Sequence, residues 1–235
     1  MPTPEAIETD LVTAILRGEH APGEALPTVR ALAREHGVSP ATIQRVVDRL
    51  KTRGLVTPRQ GSGLRVNDPL ASGDLSLVPA WLDAHLDQPA RAVAILDEFL
   101  ELRRAVAVRL LVRERAAVVA ALPRLTDAAA ELLAVPPGDL EGLVRADLAF
   151  ARALVGATGR TVALVVLNTL ERLLLAVEPV ARAMYADPAA NAQAMLAVVA
   201  ALGRDDVEER DVEAILDAVD RSTLRRFAAL LGVAQ

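Results

Sequence analysis

The chain has 235 residues, of which 52% are hydrophobic, with a net charge of −5 and no cysteine. That supplies apolar material for one large or two modest cores; the missing thiols exclude disulfides, thiolate metal sites and cysteine nucleophiles, in keeping with a reducing compartment. No window reaches the roughly 18 uncharged apolar residues of a membrane span, and the acidic opening MPTPEAIETD is unlike an export signal, so a cytoplasmic protein without a membrane partner is expected.

The first helix is signalled by Thr3, Pro4 and Glu5 ahead of an apolar face made by Ile7, Leu11 and Ile15, with Val12 and Leu16 beside it. It should stop near Gly18, because GEHAPGEALP contains two prolines and two glycines. A second helix beginning at Thr28 sets Val29, Leu32, Ala33 and His36 on one side. Gly37 ends it in a left-handed cap, with Val38 folding back onto the last turn. Ser39-Pro40 then opens a third helix, Ser as the cap and Pro at the first helical position. Its apolar face is Ile43, Val46, Val47 and Leu50, which leaves Ala41, Gln44, Arg45, Asp48 and Arg49 facing outward. After Gly54, two short β-like runs, Leu55 to Thr57 and Leu64 to Val66, flank Pro58-Arg59-Gln60-Gly61-Ser62-Gly63, a hairpin with a basic, glycine-rich tip.

The acidic total hides an uneven distribution. Between Arg30 and Arg65 lie eight bases (Arg30, Arg34, Arg45, Arg49, Lys51, Arg53, Arg59, Arg65) and two acids (Glu35, Asp48), a local surplus of six positive charges. Phosphate neutralisation needs such a patch locally and is indifferent to acids on a separate domain. Two short helices with a glycine turn, followed by a basic hairpin, predict a winged helix-turn-helix: three helices and a β-hairpin wing. Ser39, Thr42, Gln44 and Arg45 stand at the start of the recognition helix, where side chains reach base edges or phosphates. Arg30 opens the preceding helix and Arg49 lies on the same outward face as Arg45. In the wing, Gly61 and Gly63 permit close backbone approach while Gln60 or Arg59 probes the minor groove. Ordinary solvated arginines on a protein-interaction module are the alternative.

The stretch PGEALPTVRALAREHGVSPATIQRVVDRLKTRGLVTPRQGSGLRV resembles the DNA-binding domain of the GntR family, over residues 5–67. Leu26-Pro27, Arg30, Gly37-Val38-Ser39, Thr42, Gly54-Leu55-Val56 and Gly61-Ser62-Gly63 carry the resemblance. It implies a homodimer on a pseudo-palindromic double-stranded DNA operator. One departure is Pro40, where the family often has a base, so one contact is absent.

NDPLASGD, residues 67–74, reads as a linker. The expected division is therefore 1–68 for the DNA-binding domain, 69–75 for the linker and 76–235 for an all-α antiparallel bundle of about six or seven helices. Breaks fall near Gln88-Pro89, Pro123, residues 135–138, 156–159, Asp187-Pro188 and Gly203. The protein as a whole is expected to be mostly α.

The helical part resembles the FadR-type C-terminal domain of the same family, through Leu96 to Arg104, Asp147 to Gly159, Asn168 and Asp187-Pro188. The resemblance implies a central effector cavity and dimerisation through or beside it. Many members hold a divalent metal with an Asp-x-x-x-His pair and two further histidines. Here Asp147 is followed four residues later by Ala151, and the histidines are His20, His36 and His85 alone, so no such metal is expected. Beyond residue 85 there is no His, Lys or Cys, and the lone Lys51 lies on the recognition helix. Neither an enzyme nor a pyridoxal cofactor is expected. An apolar effector, acyl-CoA or a fatty-acid-like carboxylate, is implied instead, with Arg103, Asp147, Ala151, Asn168, Thr223 and Phe227 at cavity positions. The alternative is a helical domain that serves only for dimerisation or partner docking.

Overall fold

The computed structural model describes residues 2–59, 63–136 and 138–233, apart from the side chains of Asn168, Glu171 and Leu174. Helix α1 (Pro4–Leu16) starts where Thr3 caps it, the hydroxyl accepting from the Ala6 N–H at 3.2 Å. Its buried stripe, Ile7, Leu11, Val12 and Ile15, packs on α3 (Pro40–Thr52), which contributes Ile43, Val46, Val47 and Leu50. Between them come strand β1 (Ala25–Leu26) and α2 (Val29–His36), which delivers Leu32 and Ala33 to the same core. Strands β2 (Val56–Arg59) and β3 (Gly63–Val66) pair antiparallel, with Val56 opposite Val66 and Arg59 opposite Gly63. β1 pairs antiparallel with the other edge of β3, giving the order β1-β3-β2. The two-residue β1, absent from the sequence reading, is legible only through its partner strand.

The chain divides into two units between Asp87 and Gln88. Residues 69–87 therefore fold with the N-terminal unit. Asp68 caps α4 (Pro69–Ser72) by accepting from the Leu70 N–H at 2.9 Å, and Ser72 Oγ donates to the Gly54 carbonyl at 3.0 Å. A 3-10 turn (Leu75–Leu77) and α5 (Val78–Asp83) follow, and Leu77, Ala80, Trp81 and Ala84 join the core of α1 and α3. Arg17, just past the end of α1, bonds the Ala84 carbonyl and Asp87, both at 2.5 Å. A Pro, Gly, Ser and Asp composition reads as a linker, but Asp68 and Ser72 satisfy the backbone of a short turn while Leu77 and Trp81 provide the apolar anchor.

The second unit is all helical among the described residues: α6 (Pro89–Arg113), α7 (Arg115–Ala120), α8 (Leu122–Ala134), α9 (Leu140–Ala157), α10 (Thr161–Ala176), α11 (Glu178–Met184), α12 (Pro188–Leu202) and α13 (Glu209–Leu230). Eight helices appear against the expected six or seven. One extra break is at Glu114, between α6 and α7, in a run that holds no Gly or Pro; the Glu114 carboxylate pairs with Arg160. The other is at Val177, where Pro179 occupies the first turn of α11 and its missing N–H is harmless. The principal packings are α6 on α13, α8 on α9 and on α12, and α11 on α13. A core of Val108, Leu111, Val118, Leu125, Phe150, Val199, Leu202 and Val212 lies among them.

The single tryptophan of the chain, Trp81, belongs to the first unit, so its fluorescence reports the unfolding of that unit. Leu77, 1% exposed, should cost roughly 2–5 kcal/mol when replaced by Ala. Urea titration followed at Trp81 will show this as an earlier transition, whereas a true linker residue would leave the midpoint in place.

Candidate nucleic-acid interface

The turn between α2 and α3 is built by local rules. Thr28 caps α2, accepting from the Ala31 N–H at 3.2 Å. Gly37 takes φ +65°, and the Val38 N–H reaches back to the Ala33 carbonyl at 3.0 Å, closing a Schellman-type end. Ser39 Oγ then accepts from the Thr42 N–H at 3.1 Å and lies 2.9 Å from the Thr42 hydroxyl. Both predicted contact hydroxyls take part in the cap of α3, which orients the first turn.

The basic residues divide into two groups. Arg49, read from the sequence as a DNA-facing residue, donates from Nη1 to Glu8 Oε2 at 2.9 Å and to Glu5 Oε1 at 3.1 Å. Arg53 takes the other oxygen of Glu8 at 3.0 Å. Lys51 lies 3.3 Å from Asp48, which also accepts from Gln44 Nε2 at 3.2 Å. Arg65 donates to the Gly23 carbonyl at 2.5 Å. Of the eight bases in the island, these four are engaged within the unit. Arg30, Arg34, Arg45 and Arg59 are exposed and form no ion pair among the described residues.

Arg30 and Arg34 project from one face of α2 and line a shallow groove with Ala33, Gly37, Val38 and Pro40, at the turn that leads into the recognition helix. Arg45 stands on the outer face of α3, near enough to Glu5 to lower its proton affinity slightly. Arg59 ends β2 on the tip side of the hairpin, and across from it Gly63 takes φ +81°. Gln60 and Gly61, the predicted wing-tip contacts, lie outside the described residues. The arrangement offers guanidinium groups from two helices and a hairpin to a polyanion, with Gln44 as an adjacent amide.

In the helical unit the predicted effector residues meet only in part. Arg103, on α6, is 2.5 Å from Asp220 Oδ1, and Arg104 holds Asp220 Oδ2 at 2.5 Å. Asp217 is shared between Arg104 at 3.5 Å and Arg221 at 2.6 Å. Asp147 accepts a 2.6 Å hydrogen bond from the Tyr185 hydroxyl. Burial pushes the Asp147 carboxyl up, while the Tyr185 hydrogen bond and the Arg103 charge pull it down. Burial raises Tyr185 too, and the neighbouring Asp147 adds to the effect. Arg103 therefore lies within electrostatic reach of both acids. Its Nε is buried without a hydrogen-bond partner among the described residues. Thr223 donates to the Val219 carbonyl at 3.1 Å and is satisfied on its own helix, and Phe227 is completely buried. Ala151 is half-buried one turn beyond Asp147, and the side chain of Asn168 lies outside the described residues.

Asp220, Arg104 and Tyr185 are the members that sequence reasoning missed. Their signals were the Arg103-Arg104 doublet, the Asp217 and Asp220 pair at i and i+3, and the only tyrosine of the chain. A divalent ion in the style of the FadR-type domain does not fit: Ala151 stands where a histidine ligand is needed, no histidine follows His85, and Asp147 already accepts from a phenol. No group of three potential metal ligands occurs among the described residues.

An N-terminal winged helix-turn-helix unit followed by an all-helical unit is the class that this fold defines. The profile for bacterial regulatory proteins of the gntR family matches residues 3–66, and that of the FCD domain matches 98–219, more than half of the chain. The chain belongs to the GntR family, in its FCD-domain form. It is 36% identical over 102 residues to the HTH-type transcriptional regulator Mce2R of Mycobacterium tuberculosis, an alignment covering 43% of this chain and 40% of that protein. The chain thus spans about two fifths of that relative's length. To the HTH-type transcriptional repressor NanR of Escherichia coli it is 26% identical over 216 residues, 88% of this chain and 78% of the other. The solved structure of Lar, described as controlling the Listeria monocytogenes agr system, covers 96% of this chain and 98% of its own at 16% identity and TM-score 0.46. No helix among the described residues is long and apolar enough to cross a membrane.

Glu5 is held below the ordinary carboxylate range, first by its own backbone N–H and then by Arg49. A lowered folded-state value means that its contribution is complete above the ordinary range and disappears as pH falls through it. The stability difference between wild type and Glu5→Gln should accordingly be present at neutral pH and vanish in strong acid. For Glu8, whose side chain is 10% exposed, Glu8→Gln should cost about 1 kcal/mol by urea titration at pH 7, since its partners are themselves half-exposed.

Proposed function

We propose that this chain is a sequence-specific transcription regulator, acting mainly as a repressor, that grips a pseudo-palindromic operator in double-stranded DNA as a homodimer in the cytoplasm. The observation that carries the reading is the sorting of bases: Arg49, Lys51, Arg53 and Arg65 are tied into the unit by acids and a carbonyl, while Arg30, Arg34, Arg45 and Arg59 stand exposed on α2, α3 and the wing. A capped helix that begins immediately after the Gly37 turn is the element that enters a major groove in this class of fold. The repressor sense follows the printed description of NanR, to which the chain is similar over most of its length.

The helical unit is assigned an effector with an apolar body and an anionic head, of the acyl-CoA or fatty-acid kind. Support comes from the buried Arg103 Nε, which has no hydrogen-bond partner among the described residues, and from the Asp147 carboxyl, whose proton affinity burial raises, within reach of the Arg103 charge. A second reading, in which this unit serves only dimerisation or docking, draws on the fact that Arg103 and Asp147 each already have a protein partner. Under either reading a ligand acts on DNA only as far as it prefers one arrangement of the dimer.

Fluorescence anisotropy against DNA fragments selected by the purified protein tests the first half. Arg45→Ala and Arg30→Ala should each weaken binding on the order of tenfold, while wild-type affinity should fall steeply with salt. Arg49→Ala should lose stability before it loses affinity, because its guanidinium is engaged with Glu5 and Glu8; unchanged affinity in both Arg45→Ala and Arg30→Ala would overturn the assignment. For the second half, thermal shift against fatty acids, acyl-CoAs and short carboxylates should raise Tm for at least one class in wild type and not in Arg103→Ala. A flat response across the panel favours the docking-only reading.

A further inference from the structure

Helix α6 is apolar on two sides. One side, with Leu96, Leu100, Val108 and Leu111, is buried, and α13 packs along this helix. The other exposes Leu102 at 55% and Val106 at 46%, although a helix with apolar residues all round is ordinarily covered all round. The exposed side also carries an ordered charge pattern. Glu98, Leu102, Ala105, Arg109 and Arg113 follow at steps of four, three, four and four residues, which keeps them on one face. Asp97 and Glu101 flank the acidic end. These three acids are exposed and form no ion pair among the described residues. At the basic end Arg109 comes no closer than 3.9 Å to Glu209, and Arg113 reaches only its neighbour Glu114 at 3.6 Å; their side chains are 81% and 73% exposed.

Over residues 97–113 this face runs from acidic (Asp97, Glu98, Glu101) through apolar (Leu102, Ala105, Val106) to basic (Arg109, Arg113), and that order complements a copy of the same stretch running the opposite way; Arg91, also exposed, lies before it. In a two-fold arrangement residue i meets j while j meets i. With the axis between Ala105 and Val106, Glu98 falls opposite Arg113, Leu102 opposite the aliphatic stem of Arg109, and Ala105 opposite Val106. The small Ala105 at the crossing lets two helices approach to roughly 8–10 Å. Helix α10 also exposes Val162, Val165 and Leu175, but no flanking charge order identifies what would cover them.

We propose that the open face of α6 is the surface on which two copies of this chain pair antiparallel, Glu98 of each meeting Arg113 of the other. This deepens the homodimer part of the proposed function and rests on it. The test is sedimentation velocity of the full chain over a wide concentration range, with far-UV circular dichroism confirming that each variant keeps its helix content. Glu98→Arg and Arg113→Glu should each loosen the dimer on the order of tenfold or more by setting like charges face to face. The double variant E98R/R113E should recover wild-type association. Within one chain the two positions are separated by about 22 Å of helix, so recovery in the double variant reports a contact between copies. Two single variants as dimeric as wild type, or a double variant no better than either single one, would overturn the α6 face and leave the homodimer reading standing. A wild-type protein that remains monomeric at every concentration would sink both.

Discussion

The buried carboxylate of Glu8 is the constraint on which the N-terminal unit turns. It sits on the inner side of α1 and accepts one guanidinium on each oxygen, Arg49 from the last turn of α3 and Arg53 from just past its end. The apolar packing of Ile7, Leu11 and Ile15 against Ile43, Val46 and Leu50 leaves α3 free to slide or roll by small amounts at little cost in area. Two directional contacts to one fixed carboxylate remove that freedom. They also decide which arginines remain for a partner. A recognition helix carries bases along much of its length, and those on the inward flank would repel one another if nothing neutralised them. Glu8, with Glu5 behind it, ties that flank down, so that the outward Arg45 and the arginines of α2 and the wing are the ones presented to solvent.

A comparable sorting operates in the helical unit with a different result. There the polar groups lie deep, where an unpaired charge is costly. Asp220 is buried and divides its two oxygens between Arg103 and Arg104, while Asp147 avoids an isolated negative charge by accepting the Tyr185 proton donor and by proximity to Arg103. In the FadR-type pattern a metal ion would provide the compensating positive charge beside Asp147. In this chain the phenol and the guanidinium occupy that electrostatic role, which agrees with alanine at position 151 and with the absence of histidine after position 85. These groups bring together α6, α9, α13 and the residue that ends α11.

Much of the fold is legible before any tertiary information because it follows from local chemistry. Thr28, Gly37 and Ser39-Pro40 fix the ends of α2 and α3, and the offsets of Ile43, Val46, Val47 and Leu50 fix the buried face. The boundaries that escape are those without a local breaker. Glu114 interrupts a run of good helix formers where it pairs with Arg160, and residues 69–75 read as a linker and 76–87 as the start of the helical domain although both fold with the first unit, docked through Leu77 and Trp81. The same limit applies to the candidate site. Exposure of Arg45 follows from helix periodicity, but the engagement of Arg49 depends on acids more than 40 residues earlier in the chain.

The amino-acid order by itself determined the winged helix-turn-helix, the all-helical remainder, the basic island and the impossibility of a histidine-rich metal site, since caps, turns, periodicity and residue inventory act over a few neighbours or over none. Only the tertiary structure decided which arginines are held and which are offered, that Asp220 and Tyr185 complete the buried network, and where the first unit ends. Those outcomes depend on electrostatic and packing partners far apart in sequence, and a charge can be paired or left free only once folding has set the distance to its counter-ion.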